Sequence, residues 1–321
     1  MSTAALTILL HRDFTPSDIL AKIRSLSPHI EIIFTDELTE YPNLMEQVDV
    51  SFGVLPRNMW PRAGRLRWLQ TFGAGVDGLL TPEVQAHPVV ITNARIHAEP
   101  IAENLIGMLL MFARRLHADA RDQHEHQWQH GKLLVHDMQV LPGKTLGLVG
   151  VGNIGRRTAE LAKAFGMQVL GMRASGVPAP HVDEMFTPAQ RAEMFPRCDY
   201  LMITLPLTAK THHFIGAVEL ALLPTHAYLF NIGRGKVVDT DALLDALRAG
   251  RLAGAGLDVV DPEPLPADHP LWDLPNVLIT PHNAGLHPDY AEHAGQLFLE
   301  NLRRYLDGAP LENVVDKVAG Y

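Results

Sequence analysis

The sequence has little cysteine, an excess of acidic over basic residues, and no long apolar run. Its single cysteine, Cys198, excludes an internal disulfide and a zinc site built from thiolates. With 27 Lys and Arg against 36 Asp and Glu, the formal net charge is −9, which argues against nucleic acid as a partner. The longest strongly apolar run, residues 105–113, is far shorter than the roughly 20 residues that a membrane-spanning helix needs, so we expect no membrane partner.

The beginning of the sequence lacks a basic region and a convincing cleavage site, so we expect no secretory signal and a cytoplasmic location. We also expect no metal. His126 and His130 would share one face of a helix, but no third ligand is evident. The rest of the composition is that of a soluble globular protein, with 47% hydrophobic and 20% charged residues. At about 150 residues per domain, the 321 residues predict two domains.

Short apolar segments alternate with helical ones along the chain, and this alternation predicts an α/β fold with parallel sheets covered on both faces. In the first hundred residues we predict a helix after Pro16 and strands at 7–10, 31–34, 48–50, 68–72 and 89–92. Six later strands, the number in a dinucleotide-binding sheet, are predicted at 145–149, 168–172, 200–205, 228–232, 255–259 and 277–280. Helices are predicted between them at 153–165, 187–195 and 240–251, and a last helix at about 288–306.

Residues 100–116 predict a helix that is apolar on several faces. Such a helix must be buried between layers of its own chain or against another chain.

Residues 150–155 (GVGNIG) form a GxGxxG pattern between a predicted strand and a predicted helix. In this context Gly150 makes the tight turn, Gly152 lets the backbone approach a pyrophosphate, and Gly155 lets helix and strand pack closely. The alternative is a glycine-rich turn that binds no ligand. The complete strand–loop–helix context favours a dinucleotide site.

Arg173 stands about where such a site has an acidic residue for the ribose 2′-hydroxyl. An arginine favours a 2′-phosphate instead, and Ser175 could add a hydrogen bond. We therefore expect NADP(H) to be favoured. NAD(H) stays open if Arg173 stacks on the adenine or faces water.

Three polar residues follow the ends of later predicted strands: Arg234, Glu263 and His282. Ligands of open α/β sheets bind outside the carboxyl ends of the strands, so these side chains should share one rim with the glycine loop. Each also has a plain structural alternative: a turn residue for the arginine, a solvated loop charge for the carboxylate, and a capped core imidazole for the histidine.

Together the three residues suit hydride exchange with a 2-oxo or 2-hydroxy acid. A guanidinium such as that of Arg234 binds a carboxylate and polarises a carbonyl, so no metal is needed. An imidazole such as that of His282 moves the proton that accompanies the hydride. A carboxylate such as that of Glu263 fixes the imidazole tautomer and keeps the ring protonated for reduction.

At these positions the sequence resembles the D-isomer-specific 2-hydroxyacid dehydrogenase family, and the resemblance covers nearly the whole chain. The matching segments are residues 73–77 (GAGVD), 146–155 (LGLVGVGNIG), 231–235 (NIGRG), 256–259 (GLDV) and 281–285 (PHNAG). Many relatives have Asp at the position of Arg173; here the sequence is similar to the NADPH-preferring glyoxylate/hydroxypyruvate reductases.

The resemblance implies roles for individual residues. The implied catalytic residues are Arg234, Glu263 and His282. The implied substrate contacts are the amides of Ala74, Gly75 and Val76, together with Arg234. The implied cofactor contacts are Gly150, Gly152, Asn153, Ile154, Gly155, Arg173, Ser175, Leu205, Pro206, Thr211, Ile232, Gly233, Asp258, His282 and Gly285, with Asp258 at the nicotinamide carboxamide.

The resemblance also implies two doubly wound parallel-sheet domains in a discontinuous arrangement. A flavodoxin-like substrate domain would comprise residues 1–98 and 287–321, and a Rossmann dinucleotide-binding domain residues 99–286. Family members form dimers around the dinucleotide domain, so we expect a homodimer. The alternative function is that of a cofactor-sensing interaction protein like the C-terminal-binding protein corepressors, which resemble the same family.

Overall fold

The structure, a computed structural model, describes residues 5–129 and 138–321. The chain divides into two compact units: unit 1 is Met1–His97 with Leu286–Tyr321, and unit 2 is Ala98–Gly285. His130 of the possible histidine pair lies outside the described residues. Within 5–129 and 138–321, no three His, Cys, Asp or Glu side chains cluster as metal ligands would.

Each unit is built on one sheet of parallel strands. The strands of unit 1 are β1 (Leu6–Leu10), β2 (Ile30–Phe34), β3 (Val50–Phe52), β4 (Trp68–Gln70) and β5 (Val90–Thr92). The strands of unit 2 are β6 (Thr145–Val149), β7 (Gln168–Met172), β8 (Glu184–Phe186), β9 (Tyr200–Ile203), β10 (Tyr228–Asn231), β11 (Gly254–Leu257) and β12 (Val277–Ile279).

Helices connect the strands. The α-helices are α1 (Ser17–Leu26), α2 (Glu37–Glu40), α3 (Pro82–Ala86), α4 (Ala98–Ala113), α5 (Leu116–His124), α6 (Asn153–Ala164), α7 (Arg191–Met194), α8 (Ala217–Leu222), α9 (Thr240–Arg248) and α10 (Tyr290–Leu306). Short 3-10 helices lie at Arg12–Phe14, Pro42–Gln47, Arg57–Arg62, Pro188–Gln190, Phe195–Arg197, Gly235–Val237 and Pro270–Asp273. None of the helices in the described ranges is long and apolar enough to cross a membrane.

The two sheets have the strand orders expected of doubly wound folds. Unit 1 has the order β2-β1-β3-β4-β5, which is the flavodoxin-like order. Unit 2 has the order β12-β11-β10-β9-β6-β7-β8, which is the dinucleotide-binding order with a seventh strand at one edge. The predicted fold class is confirmed.

The last helix completes unit 1. The residues Ala294, Phe298 and Leu302 lie four positions apart along α10 and are fully buried. They belong to the same apolar cluster as Ile19 and Ile23 of α1. The C-terminal segment is therefore part of the core over the first sheet, which explains why unit 1 is made of two separate stretches of chain.

The apolar helix predicted at 100–116 is α4, and unit 2 buries it. Its residues Leu105, Met108, Leu109 and Phe112 are almost fully buried and belong to one cluster with Leu148 of β6. This packing accounts for the buried apolar residues of α4 within one chain. The homodimer therefore stays a prediction that α4 no longer supports.

The prediction of six strands in unit 2 is one too few. The missed strand, β8, lies at the edge of the sheet and spans only Glu184–Phe186, too short for a recognisable alternation. The helical segment predicted at 187–195 is present, but as three short consecutive pieces: 3-10 helix, α7 and 3-10 helix. Pro188 begins one 3-10 turn and Pro196 lies in another, so only Arg191–Met194 is α-helical. The sequence reading also missed α8.

Candidate active site

The predicted catalytic residues of unit 2 follow three neighbouring strands. The strands β10, β11 and β12 pair in parallel, so their carboxyl ends lie side by side along one rim of the sheet. Arg234 follows β10, Glu263 lies in the segment after β11, and His282 follows β12. The fold therefore brings residues from separate parts of the sequence to the same rim, as the strand pattern predicted.

His282 and Glu263 are in direct contact. The distance from Nδ1 of the imidazole to Oε1 of the carboxylate is 2.5 Å. The two side chains are 48% and 40% exposed, which rules out the alternative of a core histidine. Because Glu263 engages Nδ1, the other ring nitrogen, Nε2, is the one that can exchange a proton with a bound molecule.

The backbone of His282 is held in an uncommon conformation. Its φ is +51°, in the left-handed region that a residue other than glycine adopts only where its surroundings hold it. The main-chain amide of His282 donates to the carbonyl of Asp258 at 2.8 Å. This contact fixes the histidine loop to the end of β11.

The carboxylate of Asp258 supplies most of the remaining support for this loop. It is 4% exposed and accepts hydrogen bonds from Oγ1 of Thr280 at 2.6 Å and from the amides of Asn283 and Ala284 at 3.0 and 3.2 Å. Sequence reasoning named Asp258 as a cofactor contact and missed Thr280. The structure shows that this carboxylate binds the chain segment that carries His282.

Arg234 lies in a tightly packed turn. Its Nη1 donates to the carbonyl of Gly233 at 2.7 Å. Asn231, which is 1% exposed, donates to the carbonyl of Arg234 at 3.0 Å and accepts from the amide of Gly233 at 3.1 Å. A Cβ at Gly235 would overlap the carbonyl of Val260, so only glycine fits there. The Asn231 side chain thus holds the turn through one main-chain carbonyl and one main-chain amide. The sequence analysis did not predict this role.

The glycine loop is closely packed at Gly150 and Gly155 and open at Gly152. Gly150 has φ of +107°, and its carbonyl accepts from Oγ1 of Thr204 at 2.8 Å. A Cβ at Gly155 would overlap the carbonyl of Gly150, whereas a Cβ at Gly152 would meet no atom within 4 Å. The backbone at Gly152 is therefore open to a ligand at the start of α6. Asn153, the first residue of α6, accepts from Nη2 of Arg156 at 2.7 Å.

Arg173 follows the neighbouring strand β7. Its Nη2 donates to the carbonyl of Pro178 at 3.2 Å, and no carboxylate among the described residues pairs with its guanidinium. Its Nε is buried and has no hydrogen-bond partner in the described chain. Ser175, two residues on, accepts from the amide of Val177 at 3.4 Å, which leaves its hydroxyl proton free to donate. A cation and a hydroxyl donor thus lie two residues apart in the segment after β7, at the positions for which the sequence predicts contacts to a 2′-phosphate.

Other predicted cofactor contacts lie at or close to the same edge of the sheet. Leu205 follows β9 and touches the turn after β10, because a Cβ at Gly233 would lie 2.5 Å from its carbonyl oxygen. The Thr211 hydroxyl donates to the carbonyl of Pro206 at 2.6 Å and so closes the loop between them. Ile232 follows β10 and is almost fully buried, and Gly285 ends unit 2.

The predicted substrate loop lies in unit 1. Val76 is 3% exposed and anchors the loop in the core under the first sheet. In the described part of the chain, nothing accepts a hydrogen bond from the amides of Ala74, Gly75 or Val76. Free amides in a row are suited to binding an anion.

The support from Asp258 yields a prediction. Replacing Asp258 by Asn removes the charge that strengthens the hydrogen bonds to Oδ1 and sets an amide group against the main-chain amide of Ala284, which also donates to Oδ2. We expect Asp258→Asn to lower the free energy of unfolding by about 1–3 kcal/mol, measured by urea denaturation. The matched control is Asp268→Asn, an exposed carboxylate with no partner in the described chain, which should leave stability unchanged. Equal stability of Asp258→Asn and the parent would contradict the structural role.

The sequence and the fold are similar to those of known proteins. A model of the NAD binding domain of D-isomer specific 2-hydroxyacid dehydrogenase matches residues 106–284. A glyoxylate reductase from Thermococcus gammatolerans is 32% identical over 311 residues, which cover 92% of this chain and 92% of that protein.

Two solved structures are similar over the whole chain. A D-isomer specific 2-hydroxyacid dehydrogenase family protein from Aeromonas salmonicida superposes with a TM-score of 0.86 at 33% identity, covering 98% of this chain and 100% of the other. An NADPH-dependent glyoxylate/hydroxypyruvate reductase from Sinorhizobium meliloti, in complex with NADP and sulfate, has a TM-score of 0.84 at 28% identity, covering 99% and 100%. The chain therefore belongs to the D-isomer specific 2-hydroxyacid dehydrogenase family and is an oxidoreductase that uses a nicotinamide cofactor.

Proposed function

We propose that the protein reduces a small 2-oxo acid to the D-2-hydroxy acid, reversibly, and that it prefers NADPH as the hydride donor. The observation that carries this proposal is the contact between His282 and Glu263 on the rim that also bears Arg234. Glyoxylate and hydroxypyruvate are the first substrates to test, because reductases of these acids are among the similar proteins.

In the proposed mechanism the bound cofactor supplies a hydride to the carbonyl carbon. Arg234 binds the substrate carboxylate and polarises the carbonyl with a bidentate guanidinium. His282 donates a proton from Nε2 to the carbonyl oxygen. Glu263 accepts from Nδ1 of His282, which holds the ring in one orientation and leaves Nε2 as the nitrogen that serves the substrate. In the reverse direction His282 takes the proton back from the hydroxyl group.

Unit 1 contributes the amides of Ala74, Gly75 and Val76 to the substrate carboxylate in this proposal. Unit 2 is the dinucleotide-binding domain and unit 1 the substrate domain. The remaining cofactor contacts are assigned to the glycine loop and to the turns after β7, β9, β10 and β12. Asp258 is assigned to the nicotinamide carboxamide in addition to its bonds with the histidine loop. The cytoplasmic homodimer expected from the sequence stays a prediction.

The alternative is a cofactor-sensing interaction protein, which would keep the glycine loop and turn over slowly. The paired His282 and Glu263 favour the enzyme, because an imidazole held by a carboxylate suits proton transfer to a bound substrate. Oxidation of NADPH, followed by its absorbance with a panel of 2-oxo acids, separates the two. Turnover with none of the acids would support the interaction protein.

Removal of the imidazole tests its role as proton donor. We expect His282→Ala to lower kcat by about 10²–10⁴-fold, because general acid catalysis by a positioned side chain contributes about that much. Cofactor affinity, measured by NADPH fluorescence, should change little. The matched control is His226→Ala. It removes an exposed histidine just before β10, at the amino end of that strand and away from the rim that carries His282, and should keep full activity. Unchanged turnover of His282→Ala would remove this residue from the mechanism.

The cofactor preference is tested by reversing the charge at Arg173. Arg173→Asp should shift the ratio of kcat/KM with NADPH to kcat/KM with NADH toward NADH by at least about tenfold, because a carboxylate repels a 2′-phosphate and accepts from a 2′-hydroxyl. Arg251→Asp makes the same charge change at an exposed arginine after α9 and should leave the ratio unchanged. A ratio that does not move in Arg173→Asp would contradict the proposed preference.

A further inference from the structure

We propose that Asn93 and Tyr290 are positioning residues that hold the main chain of residues 72–75 so that the amides of Ala74 and Gly75 face the substrate carboxylate. This inference rests on the proposed function of that loop and assigns it two residues that no motif marks. Both belong to unit 1.

Tyr290 fixes the first carbonyl of the loop. The phenol Oη donates to the carbonyl of Phe72 at 2.9 Å, across a separation of 218 residues in the sequence. Nε2 of His97 lies 3.1 Å from the phenol Oη of Tyr290. Because the only phenol proton goes to Phe72, His97 donates to Tyr290 through Nε2, which fixes the orientation of the hydroxyl group.

Asn93 fixes the third carbonyl. Its side chain is 5% exposed, and its Nδ2 donates to the carbonyl of Ala74 at 2.7 Å. The carbonyl between these two, that of Gly73, accepts from Oγ1 of Thr71 at 2.7 Å and from the amide of Ala94 at 3.1 Å. The carbonyls of three consecutive residues are therefore all held by hydrogen bonds from other residues of unit 1.

Anchored carbonyls determine where the amides point. In a planar trans peptide the carbonyl of one residue and the amide of the next point in opposite directions. The carbonyls of Phe72, Gly73 and Ala74 are held by their donors. The amide that follows each of them, in Gly73, Ala74 and Gly75, therefore points away from that donor. No described residue accepts from the amides of Ala74 and Gly75, so they stay available for an anion.

The position of Tyr290 is set by the core. It is the first residue of α10, whose buried residues Ala294 and Phe298 pack over the first sheet. The ring of Tyr290 lies edge-on to Phe14, which stacks on Phe72 with ring centres 4.1 Å apart. The C-terminal helix thus holds the loop through a hydroxyl and through aromatic contacts.

The test separates substrate binding from catalysis. Tyr290→Phe removes one oxygen and keeps the ring, and Asn93→Leu keeps the approximate shape and removes the donor. A carboxylate contact binds the ground state and the transition state alike, so its loss raises KM and leaves kcat unchanged. We expect each variant to raise KM for glyoxylate at least about fivefold, with kcat within about twofold of the parent. The Kd for NADPH should not change, and binding of oxalate, a dicarboxylate probe measured by calorimetry, should weaken in parallel with KM.

The matched control is Tyr305→Phe, which removes a phenol oxygen from the same helix. That hydroxyl makes no hydrogen bond in the described chain, so KM should stay at the parent value. If Asn93→Leu does not fold, Tyr290→Phe decides the matter. Unchanged KM in a folded Tyr290→Phe protein overturns the inference, as does an equal loss of NADPH affinity, which would indicate a general structural effect. A parent protein that reduces no 2-oxo acid overturns the proposed function instead.

Discussion

The hydrogen bond between Nδ1 of His282 and the carboxylate of Glu263 determines which nitrogen of the imidazole can act on a substrate. Two features of unit 2 bring these side chains together. Parallel pairing of β11 with β12 places both residues beyond carboxyl strand ends, and the Asp258 carboxylate ties the chain around His282 to β11. The contact is half exposed, so a substrate can reach the ring while the support below it stays buried.

Three charged side chains of unit 2, Asp258, Glu263 and Arg173, differ in their surroundings. The carboxylate of Asp258 is buried and satisfied by a hydroxyl and two amides. The carboxylate of Glu263 is exposed and contacts a group that changes its charge during the proposed reaction. Arg173 has no carboxylate partner in the described chain, which leaves its charge available for a phosphate. Of these three groups, the buried carboxylate holds the framework, and the other two are those that the proposed function assigns to the reaction and to the cofactor.

The fold class and the positions of Arg234, Glu263 and His282 after strands could be predicted from the sequence, because both depend on local patterns. Apolar strands, a glycine loop and polar residues after strands are all visible in short windows. Edge strand β8 and helix α8 were missed because three to six residues carry too little periodicity. Asn231, Thr280, Asn93 and Tyr290 were also missed, since each acts through a hydrogen bond to a main-chain or carboxylate group that no pattern reveals. The bond from Tyr290 to Phe72 depends on the folding of the C-terminal helix onto the first sheet.

The central claim is that Glu263 makes His282 an effective proton donor. The most direct measurement is a stopped-flow single turnover, in which enzyme saturated with NADPH is mixed with glyoxylate and cofactor absorbance is followed for the parent and for Glu263→Ala. This measures the chemical step without product release. We expect the rate of hydride transfer to fall at least about tenfold in the variant while NADPH binding is retained. Equal single-turnover rates for the two proteins would contradict it.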